Sequence, residues 1–176
     1  LFKKTRLWNE QRNTQKNAEL TWGLKAISAD KAWTHVQGQG VRVLVLDTGV
    51  DERHGDLMQR FEKGVSFVGG TYADDVGHGT HTAGTTLADG AGSGLMGVAP
   101  QARLYVAKVC MMQGCSTAGI VQGIEWGIAQ KVDVMNLSLG GPFLSLSAKA
   151  AYEKAEAAGV VVVAASGNDG TAKVSY

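Results

Sequence analysis

Hydrophobic positions along this chain gather into short, nearly continuous runs, and the stretches between those runs have helical spacing. Residues 41–46 form the first strong run, residues 103–109 and 132–139 the next two, and residues 160–165 the last. Such runs lack the polar alternation of a sheet wetted on one face and belong to strands covered on both faces, as in parallel sheets. Residues 65–68 read as a weaker strand between glycines. Helices are predicted over residues 29–35, 78–88, 118–130 and 145–158, with Gly159 as the stop of the last. Small residues dominate 78–88, which allows close packing on a sheet. The alternation of strands and helices predicts an α/β fold with a doubly wound, mainly parallel sheet flanked by helices. The pattern stops soon after residues 160–165, where open sheets normally continue with further βα units, so the sheet is expected to be incomplete in this chain. Residues 1–20 are polar and aperiodic and read as an N-terminal arm, and residues 21–176 as one portion of a domain.

Composition narrows the class. The 176 residues are 44% hydrophobic and 19% charged, as expected of a folded domain with a real core. A formal net charge of +1 gives no reason to expect nucleic acid or an acidic membrane as partner. The basic cluster of Lys3, Lys4, Arg6, Arg12 and Lys16 reads as a solvated flank. No apolar run is long enough to span a bilayer, and none near the start resembles a signal-peptide core. Cys110 and Cys115 lack the spacing of a zinc site or a CxxC redox motif; a disulfide and two free thiols are both open.

In open parallel sheets the chemistry collects at the carboxyl ends of strands. The run at 41–46 leads into Asp47-Thr48-Gly49, the run at 132–139 into Gly140-Gly141, and the run at 160–165 into Ser166-Gly167-Asn168. A further segment, Gly77-His78-Gly79-Thr80-His81, opens a helix with a histidine. An aspartate at a buried strand end is placed to fix a histidine tautomer, leaving the other ring nitrogen as a base. The amide of Asn168, in a glycine-flanked turn, can donate to a developing oxyanion. Together these groups suggest acyl transfer. Three weaker motifs give way to blander readings. His78 and His81 have a metal-binding spacing but no third ligand at helical distance. Gly92-x-Gly94-x-x-Gly97 lacks the strand–helix setting of a dinucleotide site. The sequon at Asn136 falls in a predicted buried strand.

The same residues resemble the subtilase family. Val45-Leu46-Asp47-Thr48-Gly49-Val50 is similar to its aspartate motif, and His78-Gly79-Thr80-His81-Thr82-Ala83-Gly84-Thr85 to its histidine motif. Gly97-Val98-Ala99-Pro100, Asn136-Leu137-Ser138-Leu139-Gly140-Gly141 and Ala165-Ser166-Gly167-Asn168-Asp169-Gly170 resemble three further segments, in family order. The resemblance implies a peptide-bond hydrolase in which Asp47 orients the base, His78 is the base and Asn168 is the oxyanion donor. It also implies that Ser138, Leu139 and Gly140 pair with bound peptide, with Gly114 on the opposite edge of the cleft. No cofactor is required for that chemistry. Asp56 resembles a structural calcium ligand of many relatives, with a simple turn role as its alternative.

The family's Gly-Thr-Ser segment is absent from these 176 residues. The expectation is that the serine lies on a missing or separate C-terminal piece of the same protease, and that this chain alone is inactive. A peptide or protein substrate and a secreted location follow from the resemblance. A non-catalytic, subtilase-like peptide-binding scaffold is the main rival, and a nucleotide-binding α/β domain a weaker one.

Overall fold

A computed structural model describes residues 20–141, 145–168 and 170 of the protein. The arm predicted at the N-terminus therefore lies outside the described residues, apart from Leu20.

Five parallel strands form the main sheet in the order β2-β3-β1-β6-β7. They are β1 (Arg42–Asp47), β2 (Phe61–Ser66), β3 (Arg103–Lys108), β6 (Val134–Leu137) and β7 (Val161–Ala164). Strand β1 pairs with β3 on one side, Asp47 opposite Lys108, and with β6 on the other, Val43 opposite Val134. Strand β1 is thus central, and its last residue stands at the carboxyl end of the sheet.

Both faces of the central strand are covered, whereas the edge strand β7 is mostly exposed. Leu44 and Leu46 point into one core with Ile120, Ile124, Met135 and Ala155. Val43 and Val45 point into the other with Ala83, Leu87, Leu104 and Val106. Helices α4 (Thr117–Ala129) and α5 (Leu146–Ala157) cover the first face, and α3 (His78–Leu87) the second. Each fully buried leucine or valine contributes roughly 1.5–3 kcal/mol by leaving water, so burial on both sides explains why β1 has no polar alternation. Helix α4 comes especially near the sheet: a Cβ on Gly127 would lie 2.4 Å from Cδ2 of Leu44. The hydroxyls of Ser116 and Ser145 cap α4 and α5, each accepting from a backbone N–H in the first turn.

Several boundaries differ from the sequence reading. The helix expected over 29–35 is the four-residue α2 (Ala29–Ala32), preceded by α1 (Trp22–Ala26). Strand β2 begins at Phe61 and ends at Ser66, earlier than the 65–68 expected. Strand β6 is confined to four residues. A small hairpin, β4 (Cys110–Met111) and β5 (Gly114–Cys115), was not anticipated. Cys110 and Cys115 face each other in its register and form a disulfide, which settles the alternative left open above.

Closing so short a loop removes about 2 kcal/mol worth of unfolded-state entropy by the chain-entropy relation. Replacing Cys110 and Cys115 together by Ala is expected to lower unfolding free energy by about that amount in a urea titration.

Candidate active site

The site is built from two chain segments that meet above β1. The first leaves the sheet at Asp47, which is 1% exposed. The second is the first turn of α3, which begins at His78. Nδ1 of His78 lies 2.7 Å from Oδ1 of Asp47, the pair expected from the sequence. The Asp47 side chain is almost wholly buried, whereas 55% of the His78 side chain is open to solvent. The imidazole is therefore anchored at one nitrogen and accessible at its other side. The backbone N–H of Thr48 also donates to Oδ1 of Asp47, at 2.6 Å. Oδ2 is buried and has no hydrogen-bond partner among the described residues. An acceptor left in that state costs about 1–3 kcal/mol, a penalty often found where function demands it.

Glycines permit this approach. A Cβ on Gly79 would fall 2.1 Å from the Gly49 carbonyl oxygen and 3.2 Å from Cβ of Asp47. Gly49 itself has φ +110°, a conformation other residues rarely adopt.

Around the pair, Asp74 is the most heavily bonded side chain. Its Oδ1 accepts from the Thr48 hydroxyl at 2.9 Å and from the Val76 and Gly77 N–H groups. Its Oδ2 accepts from the N–H and hydroxyl of Thr80, at 2.8 and 2.6 Å. Burial opposes ionisation of Asp74, but these hydrogen bonds outweigh it and hold the carboxyl far below its usual range. The sequence reading missed Asp74. Only its place four residues before the histidine marked it.

The remaining predicted residues occupy the same end of the sheet. Ser138, Leu139 and Gly140 follow β6, just beyond its last pairing with β7, Leu137 opposite Ala164. Leu139 is half-buried against the core. Asn168 follows β7 and is exposed, and no hydrogen bond joins it to Asp47 or His78. Gly114 lies in β5, paired with Met111 and exposed. The structure thus joins Asp47 and His78 directly and leaves the others at neighbouring strand ends. A groove of about 790 Å³ lies behind α3, lined by His81, Thr85, Leu95 and Met96 among others; neither Asp47 nor His78 lines it.

Asp56 is bonded differently from the calcium ligand expected. It is 2% exposed and accepts from the N–H groups of Gly92 and Ser93 and from the Ser93 hydroxyl. The loop therefore turns donors toward this carboxylate, where a cation would require carbonyl oxygens. The neighbouring Asp89 is held by Arg60 at 3.3 Å and by the Ala91 N–H. Calcium takes six to eight oxygen ligands, and the described residues contain no group of three or more His, Cys, Asp or Glu able to hold a metal.

The match to the subtilase family covers residues 38–176. The chain belongs to that family. It is 45% identical over 156 residues to subtilisin DY of Bacillus licheniformis, covering 86% of this chain and 56% of that protein. It is 45% identical over 161 residues to subtilisin Savinase of Lederbergia lenta, covering 89% and 59%. An intracellular serine protease of Paenibacillus polymyxa is 41% identical over 159 residues, covering 86% and 49%. The chain spans about half the length of the curated relatives it matches.

Two outcomes follow from this geometry. Gly79→Ala is expected to weaken the Asp47–His78 contact, detected as loss of the low-field imidazole N–H proton signal, because the helix must move away from Gly49. Ser93→Ala is expected to lower stability by about 2 kcal/mol near neutral pH, as a hydrogen bond to a charged group is lost. Burial opposes ionisation of Asp56, but its bonds to Ser93 and Gly92 prevail and depress its pKa. Its ionised form therefore stabilises the fold above the unfolded-state value of about 3.9 and ceases to do so as pH falls below it. The Ser93→Ala deficit should accordingly shrink in acid.

Proposed function

We propose that this chain supplies the aspartate, histidine and oxyanion asparagine of a serine endopeptidase that hydrolyses peptide bonds. The observation that carries the reading is the 2.7 Å contact between a buried carboxylate and a solvent-facing imidazole at the carboxyl end of a central strand. Asp47 accepts a hydrogen bond from Nδ1–H and so fixes the tautomer, leaving Nε2 as the base. That nitrogen takes the proton of a nucleophilic serine as the serine attacks the scissile carbonyl. The amide of Asn168 donates to the oxyanion, and His78 then protonates the leaving amine. Ser138, Leu139 and Gly140 pair with the substrate main chain on one side, and Gly114 borders the other. The reading requires a nucleophilic serine in the family's Gly-Thr-Ser setting, a segment these 176 residues do not contain. The Cys110–Cys115 disulfide supports a secreted, oxidising location. The described residues include no helix long and apolar enough to cross a membrane.

The test uses the full-length protein, assayed on casein and on a peptide anilide and labelled with a serine-directed fluorophosphonate. His78→Ala is expected to reduce kcat by about 10⁶-fold and Asp47→Asn by about 10⁴-fold, with little change in KM. The first magnitude is the one known from subtilisin, a relative of this chain; the second is of the order known for a triad aspartate. Peptide binding without hydrolysis or labelling would instead establish the scaffold reading.

A further inference from the structure

His78 stands on an exposed first turn, and its ring makes a single hydrogen bond among the described residues, the one to Asp47. A side chain so open needs its backbone held firmly if a 2.7 Å contact is to persist. Helix α3 does not provide that hold in the usual way. Its N-cap is Gly77, in the left-handed region at φ 96°, with no side chain to cap the helix. Of the first-turn N–H groups, that of Gly79 goes to the Thr48 hydroxyl and that of Thr80 to a carboxylate three residues before the cap.

That carboxylate is Asp74. It takes the N–H of Gly77, immediately before His78, and the N–H and hydroxyl of Thr80, two residues after it. It also takes the hydroxyl of Thr48, the residue next to Asp47. The Thr48 oxygen in turn accepts from the N–H of Gly79, and the Thr80 oxygen from the N–H of Asp51. Asp74 itself is tied to the end of β1, its N–H donating to the Val50 carbonyl. One carboxylate therefore binds the immediate neighbours of both members of the pair. We propose that Asp74 is a positioning residue that sets the distance and angle between Asp47 and His78. It makes no hydrogen bond to the ring among the described residues. Its effect passes through Thr48, Gly77 and Thr80.

The inference rests on the protease reading for its catalytic consequence but not for its geometry, and the experiment separates the two. Asp74→Ala, Asp74→Asn, Thr80→Val and Thr80→Ser are made in the full-length protein. Each is read by kcat and KM on a peptide anilide, by the low-field His78 Nδ1–H proton resonance, and by melting temperature. Asp74→Ala is expected to lose about 10²-fold in kcat, the scale of a misplacement near 1 Å, with KM within about threefold and the resonance lost. Asp74→Asn keeps one acceptor oxygen and is expected to fall between. Thr80→Val reproduces part of the loss without removing a charge, and Thr80→Ser recovers most of it. A lower melting temperature in Asp74→Ala and Thr80→Val with kcat and resonance intact would overturn the proposal, leaving Asp74 a helix cap and nothing more. If the unmodified protein hydrolyses nothing, the protease reading falls. Loss of the resonance in Asp74→Ala would then still establish the positioning role, and its retention would overturn that too.

Discussion

Helix α3 meets the end of β1 backbone to backbone. No atom beyond hydrogen fits on Gly79, since a Cβ there would overlap the Gly49 carbonyl oxygen at 2.1 Å. The same constraint recurs one layer out, where a Cβ on Gly49 would fall 2.4 Å from the Tyr72 carbonyl oxygen. Three chain segments, the end of β1, the approach to α3 and the first turn of α3, converge because two of them carry no side chain at the point of contact. Hydrogen bonds between Val50 and the 72–74 segment then fix the third. The short reach from aspartate to histidine follows from that stacking: an aspartate side chain is only long enough if the helix comes this close.

The two aspartates at this junction are opposite in their electrostatic state. Asp74 receives five hydrogen bonds and gives its whole acceptor capacity to holding backbone and hydroxyls in place. Asp47 is more deeply buried yet receives only two, with one oxygen left bare among the described residues. A fold selected for stability alone would satisfy the buried carboxylate first. The reverse distribution makes sense if the under-bonded group is needed for its pull on an imidazole proton and the saturated one for rigidity. In a site of low local dielectric, a carboxylate with few competing donors interacts more strongly with the one partner it has.

The central strand was legible in the sequence because burial on both faces leaves a plain mark at residues 41–46, whereas the run at 160–165 forms a strand that is mostly exposed among the described residues. Helices of ten or more residues were legible from spacing and caps. The two-residue strands β4 and β5 and the five-residue helix α1 were not, since none of the three is long enough to show a period. The aspartate–histidine pair was readable because strand-end chemistry and motif agree. Asp74 was not readable: it sits beside Asp75 in a polar loop, and composition cannot tell which of the two turns inward. Asp75, itself exposed, pairs instead with the ammonium of the buried Lys108. The hydrogen bonds of Asp56 were unreadable for a related reason. Whether a loop turns N–H groups or carbonyls toward a carboxylate is decided by backbone torsions that the side-chain string does not record.

Strand order also bears on how the separate predicted residues cooperate. Strand β6 lies between β1 and β7, so Asp47 and the segment leading to Asn168 emerge two strand spacings apart, roughly 10 Å at the usual ~4.8 Å separation. Ser138, Leu139 and Gly140 emerge from the strand between them. In the proposed reading, a peptide lying along those three residues would have the imidazole toward one side and the asparagine amide toward the other. General base and oxyanion donor must approach a carbonyl from different directions, because the proton is removed from the nucleophile while negative charge gathers on the oxygen. Residues crowded onto one strand end could not offer that separation. Three parallel strands in the order β1-β6-β7 provide it from the sheet itself, before any loop is placed.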